Sequence, residues 1–405
     1  MYGESGVYVS FGESREAFTE NMLGFNLDFE ELEREGKFKY LDMTTVREEG
    51  VSEILDVILE SVHEVEAKRL VIDSYSAMAQ AFEKPIDARI IIHLILGRII
   101  RKAGCTTVIV VEVPEGSSRI GIGVEEFVAD GVLLLRRDRL EGRLLRRVEV
   151  LKMRGSRMEH QTRLLTLEGG FNILPRFETK EVEAPRRLKS IPDTATHFST
   201  GIEELDKVLD GGFPRGSIVL LEVEDNVPRG GVSSILNPAR LNFTNNGNGV
   251  FCIPSAGLSA RYVKESIEPY IDKRFLKRNL KIAGFGGEME EPYIITLKGR
   301  SIMDDYDKFW EAISTFKIET GKPVLGTIGY DTLEHTYPKD TDLLVQQMVE
   351  IAKRVRASGD LRINIVRPAM KITPHARYIS DIHLKLFEAD GSLCIYGIKP
   401  RTCIY

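Results

Sequence analysis

Two tandem α/β domains, each with a mostly parallel sheet flanked by helices, are what this sequence predicts, on three observations. Strand-like apolar runs alternate with helical stretches along the first half. Several of these runs are apolar at nearly every position, which marks strands buried on both faces. The same plan then returns in the second half in the same order.

In chain order, an apolar β-rich run at 6–11 is followed by a helix from Ser14, and Asp28 with Glu31 three residues later reads as a capping box for a helix ending near Gly36. A short strand is expected at 38–42, a helix at 52–65 and a strand at 69–74 that ends on an acid, Asp73. A long helix is expected over 85–103, opened by Pro85 and closed by Gly104. Residues 106–113 form a further apolar run, and from Asp130 to Glu168 strand follows strand. Residues 175–196 are charged, Pro-containing and aperiodic, as a linker is. This divides the chain into 1–174, the linker, and 197–405.

Four correspondences support a duplication. Residues 249–253 echo 6–10, and 324–331 echo the strand ending on Asp73. Ser380-Asp381 echoes Ala129-Asp130, and Lys399-Pro400-Arg401-Thr402 matches Lys152-Met153-Arg154-Gly155. Only the second copy has a front end: Thr200-Gly201, Leu205-Asp206, Gly211-Gly212, Pro214-Arg215-Gly216-Ser217, then the strand 218–223.

Bulk numbers agree. A chain of 405 residues with 42% hydrophobic and 29% charged residues has material for two cores and excludes a disordered or fibrous class. A net charge of -6 argues against a nucleic-acid coat or membrane-surface binder. Cys105, Cys252, Cys394 and Cys403 lack CxxC spacing, so reduced thiols and a cytoplasmic protein are expected, without zinc. The stretch 90–100 is too short to span a bilayer.

These residues resemble the KaiC-like branch of the RecA superfamily of P-loop ATPases, whose domains open with T-G-x-x-x-L-D, then G-G, then P-x-G-S and a strand. In the first copy the resemblance rests on residues 6–11, Val71-Ile72-Asp73-Ser74, residues 124–132 and Lys152-Met153-Arg154-Gly155. It implies ATP and Mg²⁺ as cofactors, both conditional on an intact Gly-rich loop whose amides and lysine hold the phosphates.

Neither copy carries that loop complete. In the second, aligning Gly231 and Ser233 with the loop's glycine and hydroxyl puts Val232 where the lysine belongs. That loss forfeits roughly 1.5–3 kcal/mol, or about ten- to a hundredfold in affinity. Glu222, Glu224 and Asp225 add negative charge where phosphates would lie, and Arg229 is the nearby cation that could substitute. In the first copy the family's opening strand, loop and helix are absent, and the repeat's order predicts about 50–60 further residues ahead of Met1.

What the family implies for the first site is still legible. Of the glutamate pair that activates the attacking water, Gly12 holds the first position and only Glu13 survives, as a general base or an ordinary helix N-terminal acid. Asp73, with Ser74 beside it, matches the residue that holds magnesium through water, or is a turn acid. Lys152 and Arg154 match the basic pair that reaches a neighbouring subunit's nucleotide, implying a homo-oligomeric, hexamer-like ring, or they are a charged strand face. In the second copy Pro254, Ser255 and Ala256 replace the glutamates, and Asp331 and Arg401 persist without partners.

The segment 136–163 carries ten Lys or Arg against four acids, either a nucleic-acid contact or a solvated hairpin. The expected function is therefore a regulatory KaiC-like ATP-binding protein in which any chemistry belongs to the first copy and the second is a pseudo-ATPase. A non-enzymatic binding module of the GvpD type, engaging a regulatory protein partner, and a RecA-like DNA-binding protein are the alternatives.

Overall fold

A computed structural model describes residues 3–44, 51–80, 104–114, 129–168, 170–180, 182–285 and 291–405. The helix expected over 85–103 and the motif at 124–128 lie outside the described residues. The chain divides into two compact units, residues 1–136 with 148–173, and residues 137–147 with 174–405.

The first unit runs β1 (Gly6–Ser10), α1 (Arg15–Leu23), α2 (Phe29–Arg34), β2 (Phe38–Asp42), α3 (Val51–Glu64), β3 (Arg69–Asp73), α4 (Tyr75–Gln80) and β4 (Thr106–Ile109). Ser14 and Asp28 cap α1 and α2 by accepting from the amides of Ala17 and Glu31. The strands pair in parallel in the order β2-β1-β3-β4. Alternation along β1 sorts its side chains: Val7 and Val9 join the core formed by Ile54, Ile58 and Val62 of α3. Tyr8 turns to the other face, stacking on Tyr40 with ring centres 5.6 Å apart and meeting Phe18 of α1 at 4.6 Å.

One expectation fails here. The run 106–113 gives a strand of only four residues, and Val108 is 55% exposed rather than buried on both faces. The cause is position: β4 is the edge of this sheet among the described residues. The next strands, β5 (Gly131–Leu140), β6 (Arg143–Met153), β7 (Thr162–Thr166) and β8 (Asn172–Ile173), form a separate sheet in that order. Glu141 and Gly142, both at positive φ, make the two-residue turn of the β5–β6 hairpin.

In the second unit, β9 (His197–Phe198), α5 (Glu203–Val208) and β10 (Phe213–Pro214) lead into β11 (Ile218–Val223) and α6 (Arg229–Asn245). β12 (Gly249–Ile253), α7 (Ala260–Ile267), α8 (Lys273–Asn279), β13 (Leu280–Phe285), β14 (Ile294–Leu297) and α9 (Ile302–Thr320) follow. The unit closes with β15 (Val324–Gly329), α10 (Tyr330–Thr336), α11 (Thr341–Ser358), β16 (Leu361–Val366), α12 (Thr373–Ile379), β17 (Ile382–Ala389) and β18 (Ser392–Lys399).

Its eight-stranded sheet has the order β14-β13-β12-β15-β16-β11-β17-β18, parallel as far as β17 and antiparallel at β18. Every residue of β11, β12, β15 and β16 is buried, as in strands covered on both faces of a parallel sheet. Val219, Leu221 and Val250 pack with α6 and α7 on one face, while Leu220, Phe251 and Ile328 pack with α9 and α10 on the other.

The strand order β13-β12-β15-β16 repeats β2-β1-β3-β4, and β11 then joins β16 to β17. Among the described residues of the first unit nothing plays the part of β11, and the hairpin that follows β4 lies in its own sheet.

The opening motif of the second unit is structural. Asp206 accepts from the Thr200 amide and hydroxyl, each at 2.7 Å, and from the Ser199 hydroxyl. Gly201 sits at φ +80°, where a Cβ would come within 2.3 Å of the Pro238 carbonyl oxygen. Gly212, at φ +102°, meets Phe198 O as closely.

Candidate functional site

In a parallel sheet the carboxyl ends of the strands form the edge at which ligands bind. The first unit gathers its acids there. Ser10 and Asp73 are register partners at the ends of β1 and β3, and Glu13 follows three residues after Ser10. Glu112, beyond the end of β4, accepts a hydrogen bond from the Ser74 hydroxyl at 3.3 Å. Glu112 was not singled out from sequence, because it reads there as one acid inside an apolar run.

Each acid has a defined neighbourhood. Asp73 accepts from the Tyr8 hydroxyl at 2.5 Å, and burial together with that bond raises the Tyr8 phenol above its usual range. Glu13 accepts from the Asn21 amide at 2.6 Å. The Ser10 hydroxyl accepts from the Glu13 amide at 3.0 Å, and Tyr40 donates to the Glu13 carbonyl, so the loop after β1 is fixed. Ser74 accepts from the Ala77 amide at 3.1 Å at the start of α4. Lys152 and Arg154 lie at the end of β6 in the other sheet, where Arg154 pairs with Asp130 at 3.1 Å.

Among the described residues no three of His, Cys, Asp or Glu come together as a metal-holding group, so Asp73 stands at the strand end as a single hard oxygen donor. The described residues of this unit include no Gly-rich loop to cradle phosphates.

The second unit is built otherwise. Helix α6 begins at Arg229, with Pro228 as its N-cap, so the amides without an i−4 partner belong to residues 229–231. One of these is turned back: Gly231 donates to the Pro228 carbonyl, beside the helix's first regular bond from Val232. Gly231 packs toward Leu393 and Val227, and Val232 is 7% exposed within the apolar core. Ser233 lies past the first turn, half-buried. The segment 174–180 covers the helix start, for a Cβ on Gly230 would stand 2.4 Å from Thr179 Oγ1 and 3.5 Å from the Phe177 ring. A phosphate cradle does not fit this helix end.

The acids of the second unit are consumed internally. Glu222 is fully buried and accepts from Arg377 Nε and Nη2 at 2.8 and 2.6 Å, with His383 Nε2 at 2.9 Å. Burial alone would raise its pKa, but the His383 and Arg377 hydrogen bonds outweigh it and hold the carboxyl at about 2. Asp331 has partners, contrary to expectation: it accepts from the Ser255 hydroxyl at 2.6 Å and the Ala256 amide at 2.8 Å. It thus fastens the loop after β12. Arg401 also has one, donating to the Glu141 carbonyl at 3.1 Å.

The basic segment 136–163 is partly spent on structure. Arg143, 6% exposed, donates to the carbonyls of Thr402 and Gly397 and lies 4.4 Å from the centre of the Tyr396 ring. Arg147 is held by Asp138 and Asp390, and Arg136 pairs with Glu149. Among the described residues no helix is long and apolar enough to cross a membrane.

Parallel sheets with helices on their faces, and acids at the strand ends, are an arrangement that RecA-like P-loop domains share with other doubly wound α/β folds. Residues 1–176 match the family model described as the KaiC ATPase, and residues 187–276 match GvpD basic region 2.

Among its relatives is protein GvpD2 of Halobacterium salinarum, 25% identical over 350 residues, which are 81% of this chain and 67% of that protein. The circadian clock oscillator protein KaiC of Thermostichus vulcanus is 30% identical over 229 residues, 54% of this chain and 42% of that protein. The chain thus spans about two thirds of the first relative and under half of the second. A crystal structure of a KaiC-like protein from Pyrococcus horikoshii is 32% identical, with a TM-score of 0.38, covering 43% of this chain and 77% of that one.

Proposed function

We propose that the protein is a KaiC-like regulator made of two copies of one domain, with its nucleotide chemistry in the first copy and a second copy that keeps the fold without turnover. The observation that carries this reading is the different fate of the acids. Glu13 and Asp73 stand on the carboxyl edge of the first sheet with no basic partner among the described residues, whereas Glu222 and Asp331 of the second unit are tied into its interior.

ATP with magnesium supplies the phosphoryl group and the cation that neutralises its charge. Asp73 would hold the ion through water, with Ser74 beside it, and Glu13 would take a proton from the attacking water. Lys152 and Arg154 would face the nucleotide of a neighbouring copy in a cytoplasmic homo-oligomer.

Mg-ATP binding and turnover by the full-length protein, against Glu13→Gln and Asp73→Asn, test this. Turnover lost in Glu13→Gln with binding kept is the expected result, and absence of binding at millimolar ATP would sink the reading. The match of residues 187–276 to a GvpD basic region favours a second reading, a regulator that acts by binding a protein partner. Full function without any nucleotide would favour it.

A further inference from the structure

Buried charges in folded proteins are paired, because an isolated ion inside a low-dielectric interior is costly. Arg362, on β16 of the second unit, departs from this. It is 4% exposed, and its hydrogen bonds go to neutral groups, Asn364 Oδ1 at 3.0 Å and the Tyr330 hydroxyl at 3.3 Å. No ion pair among the described residues reaches it; the rings of Phe309 and Tyr330 lie 5.9 and 6.0 Å from its guanidinium carbon. Its cross-strand partner is Gly326, against which the arginine stem lies, with Cγ 3.8 Å from where a Cβ would stand.

Arg362 lines a cavity of about 220 Å³ between α9 and α11. Its walls include Trp310, Ile313, Ile351 and Val355. The indole Nε1 of Trp310 is itself buried with no hydrogen-bond partner. The other charges of the lining are answered: Lys317 pairs with Asp360 at 2.5 Å, and Arg354 pairs with Glu350 while lying 4.4 Å from the Trp310 ring centre. Lys317 and Arg354 are part-exposed, which marks the side open to solvent.

The geometry points to a binding site for a small organic carboxylate, its anionic head on Arg362 and a flat apolar body against Trp310 and the aliphatic wall. A volume of this size equals about seven waters, which suits a ligand of about ten non-hydrogen atoms. Carboxylate is favoured over phosphate because the cavity offers one unpaired guanidinium and a largely apolar lining, whereas a dianion needs several donors.

Trp310 is the only tryptophan of the chain, so its emission reads this cavity directly. The full chain is titrated with benzoate, with benzamide as the neutral isostere and with inorganic phosphate. Benzoate should give a saturable change with Kd on the order of 1 mM, and benzamide and phosphate should not. Arg362→Met should weaken benzoate at least about tenfold without lowering the unfolding temperature, since it exchanges an unpaired buried charge for an apolar stem. Ile313→Phe, which fills the cavity and leaves Arg362 in place, should also weaken benzoate. No saturable change, equal response to benzamide, a response to phosphate alone, or unaltered affinity in both variants would each overturn the assignment.

Discussion

Glu222→Gln tests the most heavily loaded ion cluster in the second unit. The carboxylate has no exposed surface and takes three hydrogen bonds from Arg377 and His383, with Lys385 a further 3.8 Å away. Glutamine keeps one acceptor oxygen and turns an NH₂ toward cationic donors. Truncating one partner of a buried pair costs about 3–5 kcal/mol, but Arg377 is 44% exposed and can rehydrate, which brings the expectation to about 2–3 kcal/mol.

The shift of the carboxyl from 4.5 to about 2, caused by the same His383 and Arg377 bonds, corresponds to a figure on the order of 3 kcal/mol. Because the folded pKa is depressed, this stabilisation is fully present above the unfolded value of 4.5 and drains as the pH falls toward 2. Urea unfolding followed by Trp310 emission reports on the unit that contains Glu222. At pH 7 the variant should be weaker by about 2–3 kcal/mol, and the gap should close as the pH is lowered from about 5 to about 2.5. A gap below about 1 kcal/mol at pH 7, or one independent of pH, would refute the account of how this charge is held.

Gly201→Ala places a Cβ 2.3 Å from Pro238 O at a residue with φ +80°, and should cost more than about 2 kcal/mol in a thermal melt. Asp331→Ala removes acceptors for Ser255 and Ala256 and should cost about 1–3 kcal/mol. Mg-ATP affinity should be unchanged in it, and a fall would contradict a purely structural role. Gly230→Ala drives a methyl into Thr179 and should lift the segment over α6, read as faster tryptic cleavage at Lys180, Arg186 and Arg187. Unchanged cleavage would mean that the helix start absorbs the methyl without releasing the segment.

Local signals carried most of the secondary structure. Caps at Ser14 and Asp28 are chemical facts about single side chains, and the buried runs of β11, β12 and β15 need no partner to be recognised. β4 misled because its run of apolar residues looks the same whether a neighbouring strand lies beyond it or not. The partnering of Glu222 was hidden for another reason: Arg377 and His383 lie 155 and 161 residues away in sequence. No period or spacing brings such residues together. Glu13 and Asp73 were legible as strand-end acids, while Glu112, Tyr8 and Ser10 complete that edge only once β1, β3 and β4 are set side by side.

The two units illustrate how a strand-end acid acquires a structural role. An acid at the carboxyl edge of a parallel sheet is either left facing solvent, where an ion or water can reach it, or drawn inward, where the fold must supply hydrogen-bond donors. Among the described residues Asp73 has one such donor, the neutral Tyr8 phenol. Glu222 has a guanidinium and an imidazole, and Asp331 has a hydroxyl and an amide. Once the inner donors are in place, removing the acid strands them, so the acid is retained for stability even where it does no chemistry. A carboxylate at a catalytic-looking position is therefore weak grounds for activity until its partners are counted. By that count the first unit is where the proposed hydrolytic site belongs.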